Sequence, residues 1–204
     1  NMENIFSNIY EKKIWGIGSG TGSTISKDIE KYINILESIL NNKEYNIKTI
    51  CDIGCGDWNF SQYINFNNTK YLGIDCVKFI IDENNIKYKK DNIRFEHKVV
   101  ENNYYPKGFD LIIIKDVIQH WTDEEIIKYF NLILKNNKYI FCTNGYKFMR
   151  DKNKNNLIKR DINNKYRYHP IDINKYPLSE FKDKSLLITN HRAKQIILFE
   201  NKIQ

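Results

Sequence analysis

Ile50-Cys51-Asp52-Ile53-Gly54-Cys55-Gly56-Asp57-Trp58 is the stretch from which the rest of the chain is read. An apolar run from Lys48 to Ile53 meets two glycines spaced Gly-x-Gly, then an acid. This predicts a buried strand ending in a tight turn. Glycine adopts backbone angles closed to other residues and lets a ligand lie against the main chain. A second apolar run, Tyr71-Leu72-Gly73-Ile74-Asp75, also ends in an acid. A glycine turn after one strand and a carboxylate after the next is how an open α/β sheet holds a ribose. The third glycine of the dinucleotide fingerprint is missing: Asn59 stands at its strict position and Phe60 follows. That argues against a nicotinamide cofactor.

Outward from this centre, strands are expected near 48–53, 70–75 and 93–97, then over Leu111–Ile114 and Tyr139–Cys142. Helices are expected over about 58–65, opened by Asp57 and Trp58, and over about 77–88. Ile29, Tyr32, Ile33, Leu36, Ile39 and Leu40 recur at helical spacing, with Ser26 or Asp28 as the opening cap. A further helix begins after Trp121. Thr122 is a good N-cap, and Glu125 three residues on completes a capping box. Leu186–Thr189 and Gln195–Glu200 read as a closing hairpin around Asn190-His191-Arg192. Strands alternating with helices, then two late strands, imply a mostly parallel sheet with one antiparallel edge. Residues 1–46 read as an apolar segment, a glycine-rich loop and a helix. Residues 147–183 are polar and irregular, an insertion that reads as an acceptor-side lid. The 204 residues form one domain.

A hydrophobic content of 41% argues for a folded chain. The formal charge of +7 comes from scattered lysines, which suits a solvated surface better than a nucleic-acid groove. Cys51, Cys55, Cys76 and Cys142 make no Cys-x-x-Cys pair and lack histidines at zinc spacing. They read as reduced, buried thiols of a cytoplasmic protein without a bound metal. No apolar run approaches the length of a membrane span.

Asp52-Ile53-Gly54-Cys55-Gly56-Asp57 resembles the first motif of the class I S-adenosylmethionine (SAM) dependent methyltransferases, and Gly73-Ile74-Asp75 resembles their second. Phe109-Asp110-Leu111-Ile112-Ile113-Ile114-Lys115-Asp116-Val117-Ile118-Gln119-His120-Trp121 is similar to their fourth strand and the loop behind it. The ordered set carries the resemblance, over roughly 47–145. It implies a Rossmann-like α/β fold: a mostly parallel seven-stranded sheet with an antiparallel last strand and helices on both faces. It also implies SAM as cofactor and S-adenosylhomocysteine (SAH) as product.

By that resemblance Asp75 binds the ribose hydroxyls, and Gly54 and Gly56 admit the amino-acid tail. Asp52 orients waters or the ammonium group. Asp57, Trp58, Cys76 and Lys115 join the cofactor-binding set by position. So does the loop carrying Trp15, Gly16, Ser19 and Gly20, whose exposed N–H groups suit a carboxylate. Asp116 and His120, past strand four, are the candidates for proton handling. The plainer alternative for His120 is a structural role. The family's acid after strand three is absent: Val99 stands there, with Glu101 two residues on. Asn144 and Tyr146 could line the acceptor side. Arg150, Arg160, Arg167, Tyr168, His169 and Asp172 could bind an acceptor or simply face solvent.

A similar glycine loop and Asp-Val-x-Gln-His-Trp occur together in small methyltransferases associated with polysaccharide synthesis. That suggests O-methylation of a sugar, glycan or other small-molecule hydroxyl, with a nucleotide sugar fitting the basic surface. One rival is an RNA or cap methyltransferase, with Tyr166 and Tyr168 for base stacking. Another is a SAM-binding partner subunit without catalysis.

Overall fold

The computed structural model describes residues 2–16, 18–20, 25–101, 104–147 and 170–202. Seven strands are present: β1 (Thr49–Ile53), β2 (Lys70–Asp75), β3 (Ile93–His97), β4 (Leu111–Lys115), β5 (Tyr139–Gly145), β6 (Ser185–His191) and β7 (Lys194–Glu200). They form one sheet in the order β3-β2-β1-β4-β5-β7-β6. β1 to β5 are parallel, with Ile50 opposite both Tyr71 and Leu111. β7 is antiparallel to both β5 and β6. The reversed strand therefore lies one place in from the edge. Hydrophobic burial explains the choice: Leu198 and Phe199 of β7 are sealed, whereas Leu186, Leu187 and Ile188 of β6 stay exposed.

Described helices cover both faces: α1 (Met2–Glu11), α2 (Lys27–Asn41), α3 (Lys78–Lys87), α4 (Asp123–Glu125) and α5 (Asn131–Asn136). A π-helical turn, Ile126–Phe130, joins α4 to α5. One core layer sets Ile29, Tyr32, Leu36 and Ile39 of α2 against Ile50, Leu111, Ile113 and Phe141. The opposite layer sets Phe130, Ile133 and Leu134 against Ile112, Ile114, Ile140 and Phe199. Both faces of the central strands are thus buried, which is why they read as continuous apolar runs. Ser26 caps α2 by accepting the Ile29 N–H at 3.4 Å. Thr122 and Glu125 form the expected capping box.

Several expectations are corrected. No helix spans 58–65. Trp58 has φ of 55°, in the left-handed region, and only a 3₁₀ turn at Ser61–Tyr63 follows. The indole is buried and donates from Nε1 to the Tyr71 hydroxyl at 2.8 Å, so packing sets this backbone. The N-terminal apolar segment is the helix α1. β5 runs on to Gly145, which makes Asn144 a buried strand residue. Asn190 and His191 belong to β6, and the hairpin turns at Arg192 and Ala193. The expected lid falls largely on 148–169, so Arg150, Arg160, Tyr166, Arg167, Tyr168 and His169 lie outside the described residues. Its described remainder packs inward: Ile171, Ile173, Leu178 and Phe181 join the core beside Phe130. Among the described residues no helix is long and apolar enough to cross a membrane.

Candidate active site

The carboxyl ends of the parallel strands open on a cavity of about 960 Å³. Asp52, Gly54 and Gly56 reach it from β1, Asp75 and Cys76 from β2. Lys115, Asp116 and His120 reach it from the end of β4 and the loop beyond. Trp15, Ser19 and Gly20 close it from the N-terminal side. The structure thus brings together most of the residues singled out in the sequence. Asp57, Trp58 and Gly16 do not line it.

The glycine turn is built by contact as well as by backbone angle. Gly54 and Gly56 have φ of 70° and 55°. A Cβ on Gly54 would stand 2.5 Å from Val117, and one on Gly56 would stand 2.4 Å from the Ser19 hydroxyl. Gly54 and Cys55 both donate their N–H to the Ile74 carbonyl, at 2.8 and 3.1 Å. Gly56 donates to one oxygen of Asp75 at 3.1 Å, and Val77 to the other at 2.9 Å. The carboxylate is thereby held in a fixed orientation. Burial raises its pKa, and the Val77 and Gly56 N–H bonds oppose that rise.

Asp52 sits at the head of a buried relay: Trp58 donates to Tyr71, and Tyr71 donates to Asp52 at 2.6 Å. Burial pushes Asp52 up to about 7, against the pull of the Tyr71 hydroxyl and Lys115. Trp58 is therefore a positioning residue behind the wall. Asp57 holds the N-terminal loop, which lies over its side of the cavity as a lid. It accepts the Ser19 N–H at 3.0 Å, its own N–H donates to the Ser19 hydroxyl at 3.0 Å, and that hydroxyl lies 2.7 Å from the Tyr10 hydroxyl. The anion that the glycine loop holds is thus a carboxylate of this same chain. Trp15 then stacks on the His120 ring with centroids 5.5 Å apart, and Phe6 meets the same ring edge-on at 5.3 Å.

Asp116 has φ of 58°, rare for a residue with a side chain. Lys115 donates to one of its oxygens at 2.8 Å and Lys194 to the other at 2.5 Å. Burial alone would raise this carboxyl, but the two ammonium groups outweigh it and hold it at about 2. A group so acidic is a poor proton acceptor near neutrality. That argues against the expected proton-handling role of Asp116.

Cys76 is half-buried and its thiol is raised by burial. Glu101, the fallback for the missing acid, is exposed and bonds the Tyr104 backbone away from the cavity. Gln119 was not singled out in the sequence. It is buried on the cavity wall, and its Oε1 has no hydrogen-bond partner. Asp28, Thr143, His191, Arg192 and Lys194 also line the cavity. Lys194 lies 78 positions from Asp116, so nothing local signals their meeting. Tyr146 and Asp172 are not on the wall, and Asp172 instead accepts from the Asn174 backbone at 3.0 Å.

A family model described as "Methyltransferase domain" matches residues 46–196, most of the chain. No curated protein matches the sequence. Among solved structures, magnesium protoporphyrin IX methyltransferase from Synechocystis PCC 6803, with bound SAH, aligns at 13% identity. It covers 98% of each chain with a TM-score of 0.66. The PH0226 protein from Pyrococcus horikoshii OT3 aligns at 15% identity over 87% of this chain and 92% of its own, with a TM-score of 0.61. Human N-acetylserotonin methyltransferase in complex with SAM aligns at 14% identity over 100% of this chain and 60% of its own, with a TM-score of 0.60.

Proposed function

Because the chain belongs to the methyltransferase-domain family, the class I SAM-dependent enzymes, we propose that it transfers the methyl group to a hydroxyl oxygen of a sugar, glycan or other small molecule. One observation carries the reading: a single cavity joins the Asp75 carboxylate, the glycine turn and His120.

The walls fit SAM. Asp75, oriented by two backbone N–H groups, has lone pairs for the two ribose hydroxyls. The positive-φ turn admits the amino-acid tail close to the main chain. Ionised Asp52 faces the cofactor's ammonium group. Gln119 Oε1, buried without a partner, offers an acceptor for the adenine amino group. This substitutes for the acid missing after β3. Bound SAM supplies an electrophilic methyl group on a cationic sulfur.

His120 receives the proton that the acceptor hydroxyl loses as its oxygen takes the methyl group. The Trp15 and Phe6 rings hold the imidazole plane from two sides. Asp116, kept ionised by its lysines, accepts a hydrogen bond from the acceptor and fixes its approach. The aromatic lid excludes water from the transfer.

The test is calorimetric titration of the purified protein with SAM, SAH and NAD. Binding of the first two without the third is expected. Screening sugars, nucleotide sugars and capped RNA for SAM-dependent methylation then identifies the acceptor. Methylation of RNA alone would replace the hydroxyl-on-a-sugar reading.

A further inference from the structure

Arg192, Lys194 and Lys115 line the cavity beside the carboxylates of Asp28 and Asp116. Asp116 is shared by Lys115 and Lys194. Asp28 is likewise shared: His191 Nε2 stands 2.9 Å and Arg192 Nε 3.4 Å from the same oxygen, Oδ1. The His191–Asp28 approach does not meet hydrogen-bond geometry, and both atoms are buried without a hydrogen-bond partner. These two atoms therefore lie close without a hydrogen bond between them. Arg192 and Lys194 thus stand at the hairpin tip, each beside a carboxylate on another element of the fold.

A buried hydroxyl on β5 faces the same cavity. Thr143 is 2% exposed, lines the cavity, and its Oγ1 has no partner. Its hydroxyl can donate to a ligand. The three basic groups stand together because the hairpin turns tightly at Arg192, with φ of 53°, and β7 starts at Lys194. That tip lies at the end of the sheet where β1 to β5 finish.

We propose that this corner is an oxyanion subsite, in which Arg192, His191 and Lys194 hold a phosphate or carboxylate carried by the methyl acceptor. The proposal rests on the methyltransferase reading and narrows it: the acceptor is an acidic or phosphorylated molecule rather than a neutral one. A guanidinium fork beside an ammonium group is a common arrangement for an oxyanion. Methyl transfer places a cationic cofactor in the same cavity, which adds attraction for an anionic acceptor. The carboxylates of Asp28 and Asp116 orient the cations, and an oxyanion binds there by competing with them.

The test titrates inorganic phosphate, and separately acetate, into the protein with and without SAH at fixed ionic strength. Chemical-shift change of the phosphate by phosphorus NMR and calorimetry are the readouts. Wild type is compared with Arg192→Gln and His191→Gln, both at partly exposed positions that tolerate a neutral amide. Phosphate binding weakened about tenfold or more in Arg192→Gln, with SAH affinity unchanged, supports the subsite. Tighter binding of phosphate than of acetate assigns a phosphorylated acceptor, and the reverse assigns a carboxylated one. Absence of binding by either anion, or equal binding in both variants and wild type, overturns the subsite. Loss of SAH binding in wild type would instead sink the cofactor reading. The anion titrations without SAH would still decide the subsite.

Discussion

In the proposed mechanism His120 takes the proton and Asp116, held ionised by two lysines, only positions the acceptor. Removing the imidazole takes away the proton acceptor and leaves the cofactor cradle intact. His120→Ala is expected to lower kcat by about a hundredfold or more while SAH affinity stays near that of wild type. Unchanged turnover would give His120 a structural role. Asp75→Ala removes the carboxylate proposed to accept two charge-assisted bonds from the ribose. SAM affinity should fall about a hundredfold or more by calorimetry, and retained affinity would sink the ribose assignment. Asp52 gives a prediction in pH. Its folded-state carboxyl ionises at about 7, well above the ordinary carboxylate value of 3.8. The folded state therefore favours the proton. The stability this brings is complete below the ordinary range and is lost as pH rises through about 7. Asp52→Asn, which cannot ionise, should raise the Tm of the ligand-free protein at pH 8 by an amount worth on the order of a few kcal/mol. Below the ordinary carboxylate range it should change little. A lower Tm at pH 8 would show that ionised Asp52 is stabilising.

At the scale of elements, the N-terminal helix and loop act as one strap, latched through Ser19 to Asp57 and Tyr10. Ser19→Ala deletes the hydroxyl but keeps the backbone bond to Asp57. With about 1 kcal/mol lost per hydrogen bond, SAM affinity is expected to fall about five- to thirtyfold with little change in Tm. Faster hydrogen exchange over residues 2–20 should accompany it. A large fall in Tm with normal SAM affinity would make the strap purely structural. The strands were legible in the sequence because burial on both faces writes them as apolar runs, as in Leu111–Ile114. The capping box at Thr122 was legible because its chemistry is local. The 58–65 helix was not, because Trp58 obeys a bond to Tyr71 rather than local propensity. The meeting of the glycine turn with Asp75 was legible because one turn and the next strand's end carry it. The acceptor wall was not, because Lys194 and Asp116 meet only through the sheet order. Gln119 gave no signal, since an unpaired amide is a property of its surroundings.

For the whole molecule, ligand binding and stability are one quantity. The cavity draws its wall from α1, from the ends of β1, β2 and β4, and from the hairpin, so a bound cofactor ties distant segments together. SAH at about a hundred times its Kd should stabilise the fold by about 2.7 kcal/mol through mass action. A thermal melt with and without SAH checks this, and an unchanged Tm would mean that SAH does not bind the native state.

The placement of β7 has a consequence in time. A ribosome delivers the glycine turn and Asp75 well before the hairpin tip. Until Lys194–Glu200 emerges, β5 presents a raw edge and the acceptor wall does not exist. The nascent chain can therefore assemble a place for the methyl donor before it has a place for the molecule that will receive the methyl group.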